Sequence, residues 1–377
     1  MVDLAGKTIV YEWRRFAPAI FAVAFSGVLL LVQAALALGM FETIGVYVRK
    51  SDGDLWIASP GTRSIDQGRP LNANVEALVR FNPHVSQVES FSWGGGLWRA
   101  PGQTGDIPVF LTSVDPNPDG LVLARAVSKD MRARLIEPYT VLVDVADSSK
   151  LNVDVGDSAE INGVRVRVVG YMQGMRALGG VNVVSSLATA RQIDPGMRAS
   201  DAVAYFVARV DDPANVDAVQ RALSPRGESP RYEAIRADAF ADRTTMYWLF
   251  ETGMGVIFIV SSAIALFVSL MITSQTLMAA VAASIREYAT MRAIGIPDRS
   301  LRQVVLAQSG WVGVFGLGLA ALISIAIIAA AAVFHVPIAA SGPIVLACAV
   351  LVFVVALGSG LVSLGQLAKA DPATLLR

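Results

Sequence analysis

The feature that most limits what this chain can fold into is its long uncharged runs. Ala17 to Phe41 carries no Lys, Arg, Asp or Glu, nor does Thr252 to Ile285, nor the whole stretch from Gln303 to Ala368. A helix rises 1.5 Å per residue, so about 20 apolar residues cross the ~30 Å hydrocarbon core of a bilayer. The first two runs each suit one crossing. The third is too long for one, and it breaks at "FHVPIAASGP", where His335, Pro337, Gly342 and Pro343 bring turn chemistry. Four spans follow. Signal peptides have apolar cores of about 7–15 residues, so the first run predicts a retained span, although Arg14 and Arg15 before it and "ALA" at 35–37 imitate a cleaved leader.

Charge sits elsewhere. Only 16% of residues are charged and mean hydropathy is +0.53, yet 22 of the 31 Lys and Arg and 25 of the 31 Asp and Glu fall between Phe41 and Tyr247. That segment reads as a water-facing domain. The net charge of zero gives no bulk attraction to nucleic acid. The single cysteine, Cys348, lies in an apolar run, so packing must hold the domain without an internal disulfide.

Basic residues in short loops mark the cytoplasmic side. Lys7, Arg14 and Arg15 precede span 1; Arg286, Arg292, Arg299 and Arg302 separate spans 2 and 3; Lys369 and Arg377 end the chain. With four spans these three sites share one side, so both termini are expected in the cytoplasm and the large domain outside. Val2, Ala5, Ile9, Trp13 and Phe16 recur at helical spacing, which predicts an interfacial helix before span 1, with a disordered start as the alternative.

Within the middle segment, strands are expected at Asp54–Ser59, Asp106–Val114, Tyr139–Ala146, Val164–Met172 and Ala202–Val210, and helices at Asn74–Phe81, Ser186–Ile193 and Ala214–Leu223. Asn162–Gly163 marks a two-residue hairpin. This is an α/β domain. "FSWGGGLWRAPGQTG" (Phe91–Gly105) reads either as a mobile binding flap or as a flexible hairpin tip. Arg236–Tyr247 carries no proline or glycine and is expected to run into span 2 as a continuous stalk.

Signatures of covalent chemistry are missing from the sequence. "MVDLAGKT" departs from the phosphate-loop pattern at its first position, and there is no G-x-S-x-G elbow or cysteine–histidine cluster. The chain is expected to be non-catalytic and to hold no metal. Polar groups inside the spans have two readings. Gln33, Met40 and Glu42 on span 1, with Glu251 and Ser262 placed on one face of span 2, suit an outer-leaflet substrate path. Helix packing, with the carboxylates simply at headgroup level, is the plainer of the two. Gly310, Gly313, Gly316 and Gly318 give span 3 a small-residue surface that admits another helix, from this chain or another.

"SIREYATMRAIGIPDRSLRQ" (284–303) is the one strongly charged element in the last third. Its composition favours a helix stopped at Gly295 and Pro297, with Ser300 and Gln303 as a capping box for span 3 or Asp298 as the cap. A lipid-contacting topology anchor explains its arginines but not Glu287 or the tight punctuation; docking to a cytoplasmic partner explains both.

"REYATMRAIGIPDRSLRQVVLAQS" resembles the corresponding segment of FtsX-like, MacB-type permeases of ABC transporters. The resemblance covers nearly the whole chain, including the tail "LAKADPATLLR". The opening "YEWRRFAPAIFAVAFSGVLLLVQAAL" followed by "DLWIASPGT" is most similar to DevC-like exporter permeases. It implies a homodimeric, multi-pass permease subunit of a bacterial cytoplasmic membrane, with surrounding lipid. ATP and magnesium would be bound by a separate ABC ATPase subunit, and no cofactor by this chain. Arg286, Glu287, Tyr288, Met291, Arg292 and Gly295 would form the ATPase-coupling helix. Some members work with a periplasmic adaptor (membrane fusion) protein, and others activate an extracytoplasmic enzyme and transport nothing. MacB itself carries a fused ATPase domain, whereas here the resemblance implies a separate one and a smaller outer domain than MacB's. The expected organisation is an interfacial helix at 1–16, span 1 at 17–41, an extracytoplasmic α/β domain with stalk at 42–247 and span 2 at 248–276. A coupling-helix loop at 277–302, span 3 at 303–333, an outer loop at 334–343, span 4 at 344–367 and a cytoplasmic tail at 368–377 complete it.

Overall fold

A computed structural model describes residues 11, 13–175, 180–198, 202–224, 231–283, 290, 297–333, 338 and 341–367. The chain divides into two compact units, one of Met40–Met254 and one of Met1–Gly39 with Gly255–Arg377. Four helices among the described residues are long and apolar enough to cross a membrane, with an α/β domain between the first and second.

In the soluble unit, β1 (Leu55–Ala58), β2 (Val85–Phe91), β9 (Tyr205–Val210) and β10 (Glu233–Arg236) form an antiparallel sheet in the order β10-β1-β9-β2. The remaining strands close a barrel in the order β3-β4-β8-β5-β7-β6. They are β3 (Trp93–Arg99), β4 (Ile107–Val114), β5 (Thr140–Asp144), β6 (Ser158–Ile161), β7 (Val164–Met172) and β8 (Val181–Ser186).

Strand alternation explains how one chain fills three cores. Successive side chains point to opposite faces. Leu55 and Ile57 of β1 pack with Val75 and Val79 of α1 (Asn74–Arg80). Trp56 and Ala58 face the other way, into a central core shared with Leu142 of β5 and Val184 of β8. Val141, Val143, Val181 and Val183 on those barrel strands fill the barrel itself with Trp98 and Ile161. The central core therefore joins sheet to barrel. Its middle is aromatic: Trp56 lies 5.4 Å from Phe91, 5.7 Å from Tyr205 and 5.8 Å from Phe240, ring centre to ring centre. Burial pushes the Tyr47 hydroxyl in this core up to about 12, although Thr112 pulls it down.

The Asn162–Gly163 hairpin forms as expected, and local side-chain bonds start two helices. Ile161 pairs with Val164 across Asn162 and Gly163, whose φ values of 52° and 79° make the primed hairpin turn that matches strand twist. The Ser186 hydroxyl caps α3 (Leu187–Ile193) by accepting from the Thr189 amide, after α2 (Lys129–Arg134) earlier in the chain. Asp212 accepts from the Ala214 amide ahead of α4 (Val216–Ala222), with Pro213 at the start of that turn.

Most of the Gly/Trp stretch is strand and not flap, and only Ala100–Gly105 lies in the tip of the β3–β4 hairpin. Trp93–Arg99 is barrel strand β3, paired along β4 and closing the barrel onto β6 through Trp98–Ile161 and Arg99–Glu160. Trp98 is fully buried and its indole donates to the Leu151 carbonyl at 3.2 Å. Two of the three glycines serve close packing: a Cβ on Gly96 would sit 2.5 Å from Ile161 Cγ2 and one on Gly94 would collide with Asp194 Oδ2, while Gly95 faces open space.

A buried ion pair ties the sheet to the loop leaving the barrel. Glu89 of β2 and Arg132 of α2 are each 1% exposed, with Arg132 Nη1 3.2 Å from Glu89 Oε1. The carboxylate also accepts from the Asp115 amide at 2.7 Å, the Val122 amide at 2.9 Å and the Leu121 amide. The guanidinium donates to the Asp115 carbonyl at 2.8 Å and to the Val122 carbonyl. Burial pushes the Glu89 carboxyl up, while Arg132 and the three amides pull it down.

In the second unit, span 1 (Trp13–Ile44) is one helix with Pro18 inside it. Trp13–Phe16, expected in a separate interfacial element, belong to this helix. Pro18 is therefore past the first turn, where its missing N–H removes a ladder hydrogen bond. Span 2 is Met254–Ala283, span 3 Asp298–Val333 and span 4 Gly342–Leu367. Because span 3 begins at Asp298, Ser300 lies in its first turn, its amide bonded to the Pro297 carbonyl, and is not a cap.

Phe16, Ala19, Val23 and Leu30 of span 1 pack with Val312 of span 3 and Cys348, Val352 and Ala356 of span 4. The small-residue surface of span 3 serves neighbours in the same chain. A Cβ on Gly316 would lie 2.5 Å from Val23 Cγ1, and one on Gly313 3.0 Å from Phe353 Cδ2. Gly318 faces open space.

Two stability predictions follow from these contacts. Glu89→Gln keeps the side chain's shape but leaves Arg132 buried without an anion, and should cost about 3–5 kcal/mol. Guanidinium unfolding of the full chain in detergent, read by tryptophan fluorescence, measures it. Gly316→Ala should cost about 1–3 kcal/mol through overpacking, and Gly318→Ala should stay within about 0.5 kcal/mol. Thermal unfolding of the same preparation separates the two.

Candidate functional site

The residues proposed for a substrate path fall on different elements. In span 1, Gln33 and Met40 are half-buried and Glu42 lies near the helix end. Ser26, on the same stripe, is buried and donates to the Ala22 carbonyl one turn back at 2.7 Å, so packing accounts for it. Ser262 is half-buried in span 2.

Glu251 does not share a helix with Ser262. The stalk helix α5 (Ala237–Met246) passes into a π-helical turn, Tyr247–Glu251. The Thr252 amide bonds back to the Tyr247 carbonyl at 3.3 Å, the wide i→i+5 spacing, and the Thr252 hydroxyl donates to the Trp248 carbonyl at 2.6 Å. Gly253 then takes φ +78° and span 2 starts at Met254. The expected unbroken stalk is thus interrupted, and the helical phase that placed Glu251 over Ser262 is lost. The interruption comes from Gly253, just beyond the segment that was read as uninterrupted.

The turn is held to the rest of the soluble domain by a loop after β1. Glu251 pairs with Arg63. The Trp248 indole donates to Ser64 Oγ at 3.1 Å and Asp66 Oδ1 at 3.2 Å. Arg243 of α5 donates to the Thr62 carbonyl at 3.1 Å and to Glu233 at 3.0 Å. The loop is fixed from behind, where the Tyr205 hydroxyl donates to the Ile65 carbonyl at 2.8 Å. Burial pushes the Tyr205 hydroxyl up, and the Asp66 charge adds to the effect. Tyr247 and Trp248, next to the exposed Phe250, are residue types that favour the membrane–water interface. None of these loop residues stood out in the sequence, since Arg63–Asp66 carry no motif. Their only signal was a charged, turn-rich loop after a predicted strand.

The expected coupling residues Arg286, Glu287, Tyr288, Met291, Arg292 and Gly295 lie outside the described residues.

Comparison with known proteins agrees with this architecture. The family model for the MacB-like periplasmic core domain matches residues 17–226, more than half of the chain, and that for the FtsX-like permease C-terminal region matches residues 259–372. No curated protein sequence matches. Similar solved structures include the periplasmic region of MacB from Actinobacillus actinomycetemcomitans (12% identity, TM-score 0.38, covering 52% of this chain and 94% of that one). Another is the extracellular domain of the noncanonic ABC-type transporter YknZ from Gram-positive bacteria (9%, 0.34, 48% and 98%). A third is a domain of a permease protein from Porphyromonas gingivalis (11%, 0.33, 50% and 92%). With four candidate spans and an α/β domain between the first two, the chain belongs to the family of MacB-type, FtsX-like permeases.

Proposed function

We propose that this chain is the membrane subunit of an ABC-type exporter for a hydrophobic or amphipathic substrate. It would work by mechanotransmission: ATP hydrolysis on a separate ATPase, with its bound magnesium, moves the stalk and soluble domain. The observation that carries this reading is the joining, in one chain, of a MacB-like core domain at 17–226 to an FtsX-like permease region at 259–372. Family membership supports an inner-membrane location; both termini in the cytoplasm, a homodimer and a periplasmic adaptor are part of the proposal. Arg286 and Glu287 would seat on the ATPase, with Tyr288, Met291, Arg292 and Gly295 shaping the same short helix. Substrate would be met at Gln33, Met40, Glu42 and Ser262.

The test is reconstitution in nanodiscs with the candidate ATPase. A stable complex should form, and Arg286→Ala with Glu287→Ala should lower coupled ATP turnover by about tenfold, the equivalent of 1.4 kcal/mol. Absence of a complex, or unchanged turnover in the double variant, overturns the reading. Turnover that responds to no amphipathic substrate, while an extracytoplasmic enzyme is activated, would replace export with signalling.

A further inference from the structure

The junction before span 2 suggests where movement would be concentrated. A continuous α-helix from Ala237 into span 2 would bend only gradually, because every residue is tied into the i→i−4 ladder. Here that ladder gives way at Tyr247–Glu251 and restarts at Met254. π-Helical turns are rare, short and frequent at functional sites. Between the two helices stands Gly253 at φ +78°, backbone that a residue with a side chain adopts only at a cost. The division of the chain into compact units falls beside it, at Met254.

The π-turn itself is not loose. The Trp248 indole is shared between Ser64 and Asp66, and Glu251 closes the turn onto Arg63. Ser64 is fully buried, and Ile65 is buried with its carbonyl bonded to Tyr205 of the aromatic core. The side chains of Arg63 and Glu251 are 61% and 45% exposed, so that pair contributes little alone. The indole bonds to buried Ser64 and half-buried Asp66 are the main anchor, and the ion pair holds the last residue before the break.

We infer that Tyr247–Glu251 is a clasped extension of the soluble domain, pinned by the loop Gly61–Gln67, and that Thr252–Gly253 is the pivot between domain and span 2. Glu251 is then a positioning residue of the junction and not a ligand of the substrate path. The functional meaning of the pivot rests on the coupling reading above; its existence does not. A push delivered to span 2 would turn at Thr252–Gly253, and the clasp would carry it through the 61–67 loop into the sheet.

Amide hydrogen exchange on the full chain in nanodiscs, with no ATPase present, tests this. The variants are Trp248→Phe, Arg63→Glu, Glu251→Arg and the charge swap Arg63→Glu/Glu251→Arg. Trp248→Phe keeps the ring and removes the donor, and should raise exchange at 247–252 about fivefold. Each single reversal should raise it about threefold, and the swap should return it to the parent value. Exchange within Ala237–Met246 should not change. Unchanged exchange at 247–252, a swap that fails to restore it, or a rise spread equally through Ala237–Met246 overturns the clasp. Because no ATPase is used, failure here leaves the transport reading standing, and failure of an ATPase to bind leaves this measurement intact.

Discussion

The soluble domain depends on the buried pair of Glu89 and Arg132. Taking two charges out of water costs several kcal/mol per ion, and attraction across 3.2 Å offsets this only when the remaining donors and acceptors are also satisfied. Here backbone groups do so. Three amides point at the carboxylate, and two carbonyls receive the guanidinium. All of them lie between Asp115 and Val122, in the loop that leaves β4. Gly120 is required in this loop because a Cβ there would collide with Arg132 Nη1. The pair thus folds an irregular loop around itself. That loop delivers Leu121, Val122 and Leu123 to the central core that joins sheet and barrel.

From that joint the aromatic cluster extends toward the stalk. Phe240 of α5 packs on Trp56 and Tyr205, each pair about 5.7–5.8 Å apart, a separation at which aromatic pairs contribute roughly 0.5–1.5 kcal/mol beyond area burial. Tyr205 in turn reaches the carbonyl of Ile65. One residue thereby links the stalk helix and the loop that holds the π-turn. The stalk is anchored in the same core that carries the sheet–barrel joint, so a load on α5 is borne by the domain as a body.

Much of this was legible in local chemistry. Asn162–Gly163 specified its hairpin, Ser186 its cap and Asp212–Pro213 its helix start, because each acts within a few residues of itself. The spans were legible because hydrocarbon excludes charge over a fixed thickness. What escaped depended on distant partners. Trp93–Arg99 reads as a loop by composition, since three consecutive glycines weaken a strand. It is held as one by pairing along β4 and by the need for thin residues against Ile161 and the segment after β8. The ion pair was invisible for the same reason, its members standing 43 positions apart. A constant 3.6-residue period puts Glu251 over Ser262, but the helix widens into a π-turn at Tyr247–Glu251 and then breaks at Gly253.

The two chain crossings of the soluble domain both meet a glycine, Gly45 and Gly253, and only the second takes left-handed backbone. Span 1 stays helical to Ile44 and is followed, after Gly45, by a one-turn helix, Val46–Arg49, whose Arg49 reaches Thr245 of α5 at 3.0 Å. Span 2 is preceded by a widened turn and a left-handed glycine. A segment with an intact hydrogen-bond ladder resists bending along its length, whereas a single residue outside the ladder concentrates it. Arg49–Thr245 meets the stalk at α5, and Trp248 with Glu251 ties the π-turn to the loop after β1. Thr252 is bonded back into the π-turn, and Gly253 stands between it and the start of span 2.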